Sequence, residues 1–75
     1  MKLLNPLPFD VSTTYDIKGD RSPETFTLPS KKITVFENET IFNHMREYLV
    51  EEVLNHRNII HFDQNREEIR KEIVK

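Results

Sequence analysis

No cysteine occurs among the 75 residues, so neither a disulfide nor a thiolate metal site can brace the fold. That absence also suits a reducing compartment. There is a single glycine, Gly19. One glycine excludes both the G-x-G-x-x-G dinucleotide fingerprint and the phosphate loop, each of which needs several. No apolar run approaches the roughly 20 residues needed to span a bilayer. Met1-Lys2-Leu3-Leu4 starts like a signal peptide, but Asn5, Pro6 and Pro8 interrupt it before an apolar core forms. Neither half carries the basic excess of a phosphate-backbone binder: residues 1–36 sum to +1 and residues 37–75 to −3, for a net charge of −2. No membrane partner is expected, nucleic acid is disfavoured, and the expected location is the cytoplasm or a larger particle.

What is present is enough for one small domain, residues 1–75. A chain of this length buries only about 60% of its unfolded surface. Without disulfides or a thiolate metal site, extra stability is expected from oligomerisation or from docking onto something larger.

Residues 1–10 read as an extended arm. Pro6 and Pro8 fix their own φ and bias Asn5 and Leu7 away from helix. Leu3, Leu4, Leu7 and Phe9 make the arm apolar. It either packs over its own core or lies on a neighbouring subunit. Val11, Thr13, Tyr15 and Ile17 alternate with polar residues at period two, the signature of a strand. Lys18 to Pro23 reads as a turn. Thr25–Leu28 and Lys32–Phe36 read as two further strands, giving an antiparallel meander over residues 11–36.

Such a sheet needs a cover, and residues 38–57 supply one. Asn38 is a candidate N-cap, with Glu39 in the first turn where the helix dipole favours a negative charge. Ile41, Phe42, Met45, Tyr48, Leu49 and Val53 form one helical stripe. Val50 and Leu54 widen it beyond what one small sheet requires, so a second cover is expected, either the C-terminal segment or a partner. Ile59–Phe62 reads as a strand or apolar linker. Asn65 followed by Glu68 has the spacing of a capping box and predicts a short C-terminal helix, with Glu67–Lys71 as an i,i+4 pair. The fold class is therefore α+β: a short antiparallel β-meander on one long amphipathic helix, with an extended arm and a short terminal helix.

Candidate chemistry is thin. His44 and His56 lie on one helix about 18 Å apart, too far to share an ion. Glu52 and His56 are one turn apart and would supply two ligands where zinc needs three or four; a Glu–His pair at the core rim is the simpler reading. His61 reads as a polar strand position. Ser12, Ser22 and Ser30 look like strand and turn residues, with no adjacent base. Glu51-Glu52 and Glu67-Glu68 are adjacent helix positions that point different ways. Lys31, Lys32, Arg66, Arg70 and Lys71, with Phe26, Phe36 or Tyr15 to stack bases, are the residues a nucleic-acid reading would use. No catalytic residue, cofactor or metal is expected, and no enzymatic activity.

The order of elements brings in a family resemblance. Asn5-Pro6, Phe9-Asp10-Val11, Tyr15-Asp16, the run Thr25 to Phe36, then Ile41-Phe42-Asn43-His44-Met45 and Leu49 resemble small virion proteins of tailed bacteriophages. Those proteins have an extended arm, a few strands and a following helix. The resemblance covers about residues 5–57 and leaves 58–75 without a counterpart. It implies a structural subunit of a capsid, connector or tail, with no active site to carry over.

The expectation is thus a non-enzymatic structural or assembly protein, a minor component of a phage particle that binds other subunits in a homo- or hetero-oligomer. Leu3, Leu4, Leu7 and Phe9 of the arm, and Val50 and Leu54 of the helix, are its expected contact residues. Two alternatives are a small regulator of a cellular enzyme such as a polymerase or nuclease, and a nucleic-acid-binding accessory protein.

Overall fold

A computed structural model describes residues 1–16 and 23–75. The described residues form four strands and two helices, β1 (Lys2–Leu4), β2 (Val11–Tyr15), β3 (Glu24–Leu28), β4 (Ile33–Val35), α1 (Glu39–Arg57) and α2 (Asp63–Ile73). The fold is α+β. The expected strand end at Ile17 and the turn from Lys18 to Ser22 lie outside the described residues.

β2 and β3 pair antiparallel, Val11 opposite Leu28 and Tyr15 opposite Glu24. β4 does not extend this pair into a meander. It pairs instead with β1 from the arm, Lys2 opposite Val35 and Leu4 opposite Ile33, so the described residues form two two-stranded sheets. The reason lies at Asn5, which is fully buried. Its amide donates to the carbonyls of Phe9 (3.0 Å) and Leu28 (2.8 Å), and its Oδ1 accepts from Leu7 N–H (2.9 Å). Its backbone accepts from Lys31 N–H (2.8 Å) and donates to Lys32 O (3.1 Å). A buried polar group must find partners for every donor. Asn5 finds all of its partners only when the arm lies beside β4, so the arm takes that edge. Lys31, at φ 61°, turns the chain there, and Lys32 N–H closes the turn onto Pro29 O at 3.3 Å.

α1 begins where Asn38 predicts. Its Oδ1 accepts from Ile41 N–H at 3.1 Å, satisfying one of the four free donors of the first turn. The helix stops at Asn58, which adopts the left-handed conformation (φ 58°). Asn58 N–H donates to Asn55 O and Ile59 N–H to Leu54 O, a Schellman closure. The apolar stripe is as wide as the pattern predicts: Ile41, Phe42, Met45, Leu49, Val50, Val53 and Leu54 are all buried.

The second cover is the chain's own. α2 packs on α1 and contributes Ile69 and Ile73 to the core shared with Val50 and Leu54. α2 starts at Asp63 rather than after Asn65. Asp63 places its carboxylate in the first turn, where the dipole favours it. The Asn65 amide meanwhile donates back to Ile60 O at 2.8 Å. Ile59–Phe62 is a linker, not a strand. Beyond α2, Val74 bridges to Leu3 and Lys75 N–H donates to Lys2 O at 3.1 Å, so the end of the described chain borders β1.

Candidate protein-interaction surfaces

The expected contact residues are mostly inside the molecule. Leu3, Leu7, Val50 and Leu54 are fully or almost fully buried in the chain's own core. Leu4 is half-buried on the outer face of β1. Phe9 is 42% exposed, its ring edge-on to His56 at 5.3 Å between centroids. Of the two readings of the arm and of the helix flank, packing against the same chain describes what is seen. The apolar surface open to a partner lies elsewhere.

One such surface follows from the alternation in β4. Met1 and Phe36 exchange main-chain hydrogen bonds (3.1 and 2.7 Å), and Asn5 N–H donates to Lys32 O, so the even residues of β4 face β1. The main-chain groups of Ile33 and Val35 therefore point to the open edge. Their side chains share the face turned away from the core, and Val35 is 64% exposed. Between β4 and β3 lies a groove of about 510 Å³, lined by Phe26, Thr27, Thr34, Val35, Phe36, Glu37, Asn38 and Ile41. It is walled by the two strands and closed below by the start of α1.

The second surface is the corner between the helices. Ile59 turns inward against the core, Ile60 and Phe62 turn out, and His61 points back to α1. Ile60 and Phe62 are 65% and 64% exposed. Large apolar residues this open are costly unless something covers them. The corner is held rigidly. His61 Nδ1 lies 2.6 Å from Glu51 Oε2 and its Nε2 lies 2.9 Å from Asn55 Oδ1. Arg66 donates to His61 O at 2.6 Å, and Asn65 holds Ile60 O. Ile60 and Phe62 lie in the segment that the sequence marks as a strand or apolar linker, outside the expected contact residues.

A ladder of charges fixes α2 on α1. Arg70 grips Glu47 with Nε (2.9 Å) and Nη2, and Arg66 donates to Glu51 at 2.8 Å. The hydrogen bond from Arg70, aided by Arg46, holds the Glu47 carboxyl down at about 2 from an ordinary 4.5, against the opposing effect of burial. Glu51 is lowered too, first by Arg66 and then by His61. Arg57 and Glu72 form a two-bonded pair (2.8 and 2.7 Å) that raises the arginine and lowers the carboxyl. On α2, Glu67 pairs with Arg70 (3.0 Å) and Lys71 with Glu68 (3.8 Å), both at i,i+3, in place of Glu67–Lys71.

The remaining candidates are placed as follows. Glu52 does not pair with His56; its charge raises the Tyr48 phenol, while His56 packs on Phe9. His44 stacks on Tyr15 at 4.4 Å, and its Nε2 is buried without a hydrogen-bond partner among the described residues. Both lie in a shallow depression with Asn43, Glu47, Tyr48 and Glu51, where the two glutamates are already held by arginines. Arg66 and Arg70, candidates for phosphate contact, are committed to the same glutamates. Lys31 Nζ donates to Pro6 O at 2.6 Å. Ser12 bonds Thr27 across the hairpin, and Ser30 donates its hydroxyl to Leu7 O. Phe36 is buried against Phe42, and Phe26 faces the groove. Among the described residues no group of three or more His, Asp or Glu is placed to hold a metal ion, and no helix is long and apolar enough to cross a membrane.

Comparison of the chain with protein-family models, curated proteins and solved structures found no match.

Proposed function

We propose that this chain is a non-enzymatic assembly subunit that binds other protein subunits, in a particle of the tailed-phage kind that the order of its elements resembles. The observation carrying this reading is the pair of open apolar surfaces on a core that is otherwise closed. Leu3, Leu7, Leu49, Val50 and Leu54 are sealed by the chain itself, yet Ile33, Val35, Ile60 and Phe62 are left in contact with solvent. A chain that has solved its own packing keeps these four side chains, the most exposed of its large apolar residues, outside only at a cost in solubility, which a protein partner removes. The corner is also pre-organised by hydrogen bonds, and a rigid apolar anchor loses little entropy on binding.

Crosslinking in the native source, read by mass spectrometry, tests the reading. Crosslinks from the β4 and corner segments to coat, connector or tail subunits are expected. Crosslinks to a polymerase or nuclease, or a chain recovered only free of any particle, would overturn it.

A further inference from the structure

We propose that an extended, unpaired segment of a partner protein binds in the slot between β3 and β4, pairing antiparallel with β4 as an added strand and setting a lysine or arginine against Glu37. The inference rests on the reading above that the chain binds other protein subunits, and names the form in which one of them arrives.

Strand edges, not strand faces, wall the slot. Successive residues of a strand point to opposite faces of its sheet. Yet Thr34, Val35 and Phe36 all border the groove, and so do the neighbours Phe26 and Thr27 of β3. Residues of both parities meet only along an edge. Both edges are open, because β4 has β1 alone beside it and β3 has β2 alone. Along β4 the open groups can be named. Thr34 pairs with Leu3, and Phe36 exchanges two main-chain hydrogen bonds with Met1. The N–H and C=O groups of Ile33 and Val35 are therefore turned to the slot, with no hydrogen-bond partner among the described residues. In an antiparallel ladder each such residue exchanges both bonds with the residue opposite, so two alternate residues of an incoming segment meet all four groups.

The space is that of one strand. An extended residue takes about 3.3 Å along the strand, 4.8 Å across the sheet and 10 Å through it, about 160 Å³ in all. The groove of about 510 Å³ thus holds one strand about as long as β4, which has three residues.

The same geometry selects the occupant. A strand seated there has β4 on one side and β3 on the other, so it must arrive with both edges free. The four strands of this chain are already paired, and a second copy brings each of its strands with a neighbour attached. An arm or tail of another protein carries no such neighbour. Its main chain supplies the bonds, and its alternate side chains meet the apolar lining at Phe26 and Ile41. Glu37 is the one charged residue in that lining among the described residues, and no cation there pairs with it. Glu37 follows β4, so it stands beside the N-terminal end of an antiparallel segment. A cation at that end completes the site, and sets choice and direction more than tightness.

The test uses the full chain, labelled for amide detection, and a capped six-residue peptide with lysine first and then alternating threonine and valine. In the free chain the amides of Ile33 and Val35 are expected to exchange fast and that of Thr34 slowly. The peptide is expected to slow Ile33 and Val35. Two further peptides carry methyl groups on the main-chain nitrogens of the valines or of the threonines, and at least one is expected to bind tenfold or more weakly. Glu37→Lys, a change at an exposed position, is expected to weaken the lysine peptide and to prefer one with glutamate in its place. Because the peptides are what is altered, a folding defect cannot mimic the result. The proposal is overturned by no slowing at up to about 1 mM peptide, about 4 kcal/mol of binding. It is also overturned if both methylated peptides bind unchanged, if Glu37→Lys leaves the preference as it was, or if raising the concentration of the chain alone slows the same amides, which would assign the edge to a second copy. Crosslinks to particle subunits without strand addition would leave the assembly reading in place and sink this one alone.

Discussion

Arg70 holds Glu47 through two hydrogen bonds across 23 residues of sequence, and Arg66 donates one to Glu51 one turn along. The two pairs occur in reversed order on the two helices, so they set the register of α2 as well as its attachment. The Glu47 carboxyl is held at about 2 in the folded chain against 4.5 when free. A depressed folded value means a contribution that is complete above about pH 4.5 and fades as pH falls toward about 2. Glu47 is 42% exposed, and solvent screening limits its worth. Glu47→Gln is expected to cost about 1 kcal/mol near neutrality, and to flatten the fall in urea-midpoint stability between about pH 5 and pH 3. An unchanged pH profile in the variant would show that the pair contributes nothing to stability.

Asn5 predicts a larger effect. Asn5→Ala leaves the Leu28 carbonyl, the Phe9 carbonyl and the Leu7 N–H without their side-chain partner. Each buried group left unpaired costs about 1–3 kcal/mol, and partial rescue by water leaves a total loss of about 3 kcal/mol. Asn5→Asp is expected to be worse, because a carboxylate turned toward two carbonyls has no hydrogen to offer them. Chemical denaturation of both variants measures this. Hydrogen exchange should show the loss first in β1 and β4, which Asn5 ties together.

Asn58 tests the helix end. Its φ of 58° is a conformation that glycine adopts freely and asparagine tolerates. Asn58→Gly is expected to be neutral or to stabilise by up to about 0.5 kcal/mol. Asn58→Val is expected to cost about 1–2 kcal/mol, since a β-branched residue is poorly accommodated there. Thermal unfolding of the two variants gives the sign.

The covered and open apolar residues should respond differently to truncation. Leu54→Ala removes methyl groups from a fully buried site and should cost about 2–5 kcal/mol. Val35→Ala and Phe62→Ser act at exposed positions and should stay within about 0.5 kcal/mol of the natural chain in dilute solution. If Phe62→Ser destabilises the isolated chain as Leu54→Ala does, Phe62 belongs to the core rather than to an interface.

The sequence by itself determined most of what is local. The start of α1 at Asn38, its apolar stripe and the β2 and β3 strands depend on spacings of two to four residues, and these are legible in one pass. The arm and the helix flank were legible as apolar, but their cover was not. An apolar side chain specifies that it will be buried and leaves open against what. Only the tertiary structure decided that β4 pairs with the arm, because that choice depends on Asn5 finding partners as distant as Leu28 and Lys32. It also decided that Leu3, Leu7, Val50 and Leu54 close on the chain itself while Ile33, Val35, Ile60 and Phe62 stay open. Alternation marks two faces of a segment equally well. Which face is inside is settled by the element packed against it, and for β4 and the helix corner that element lies far away in the sequence.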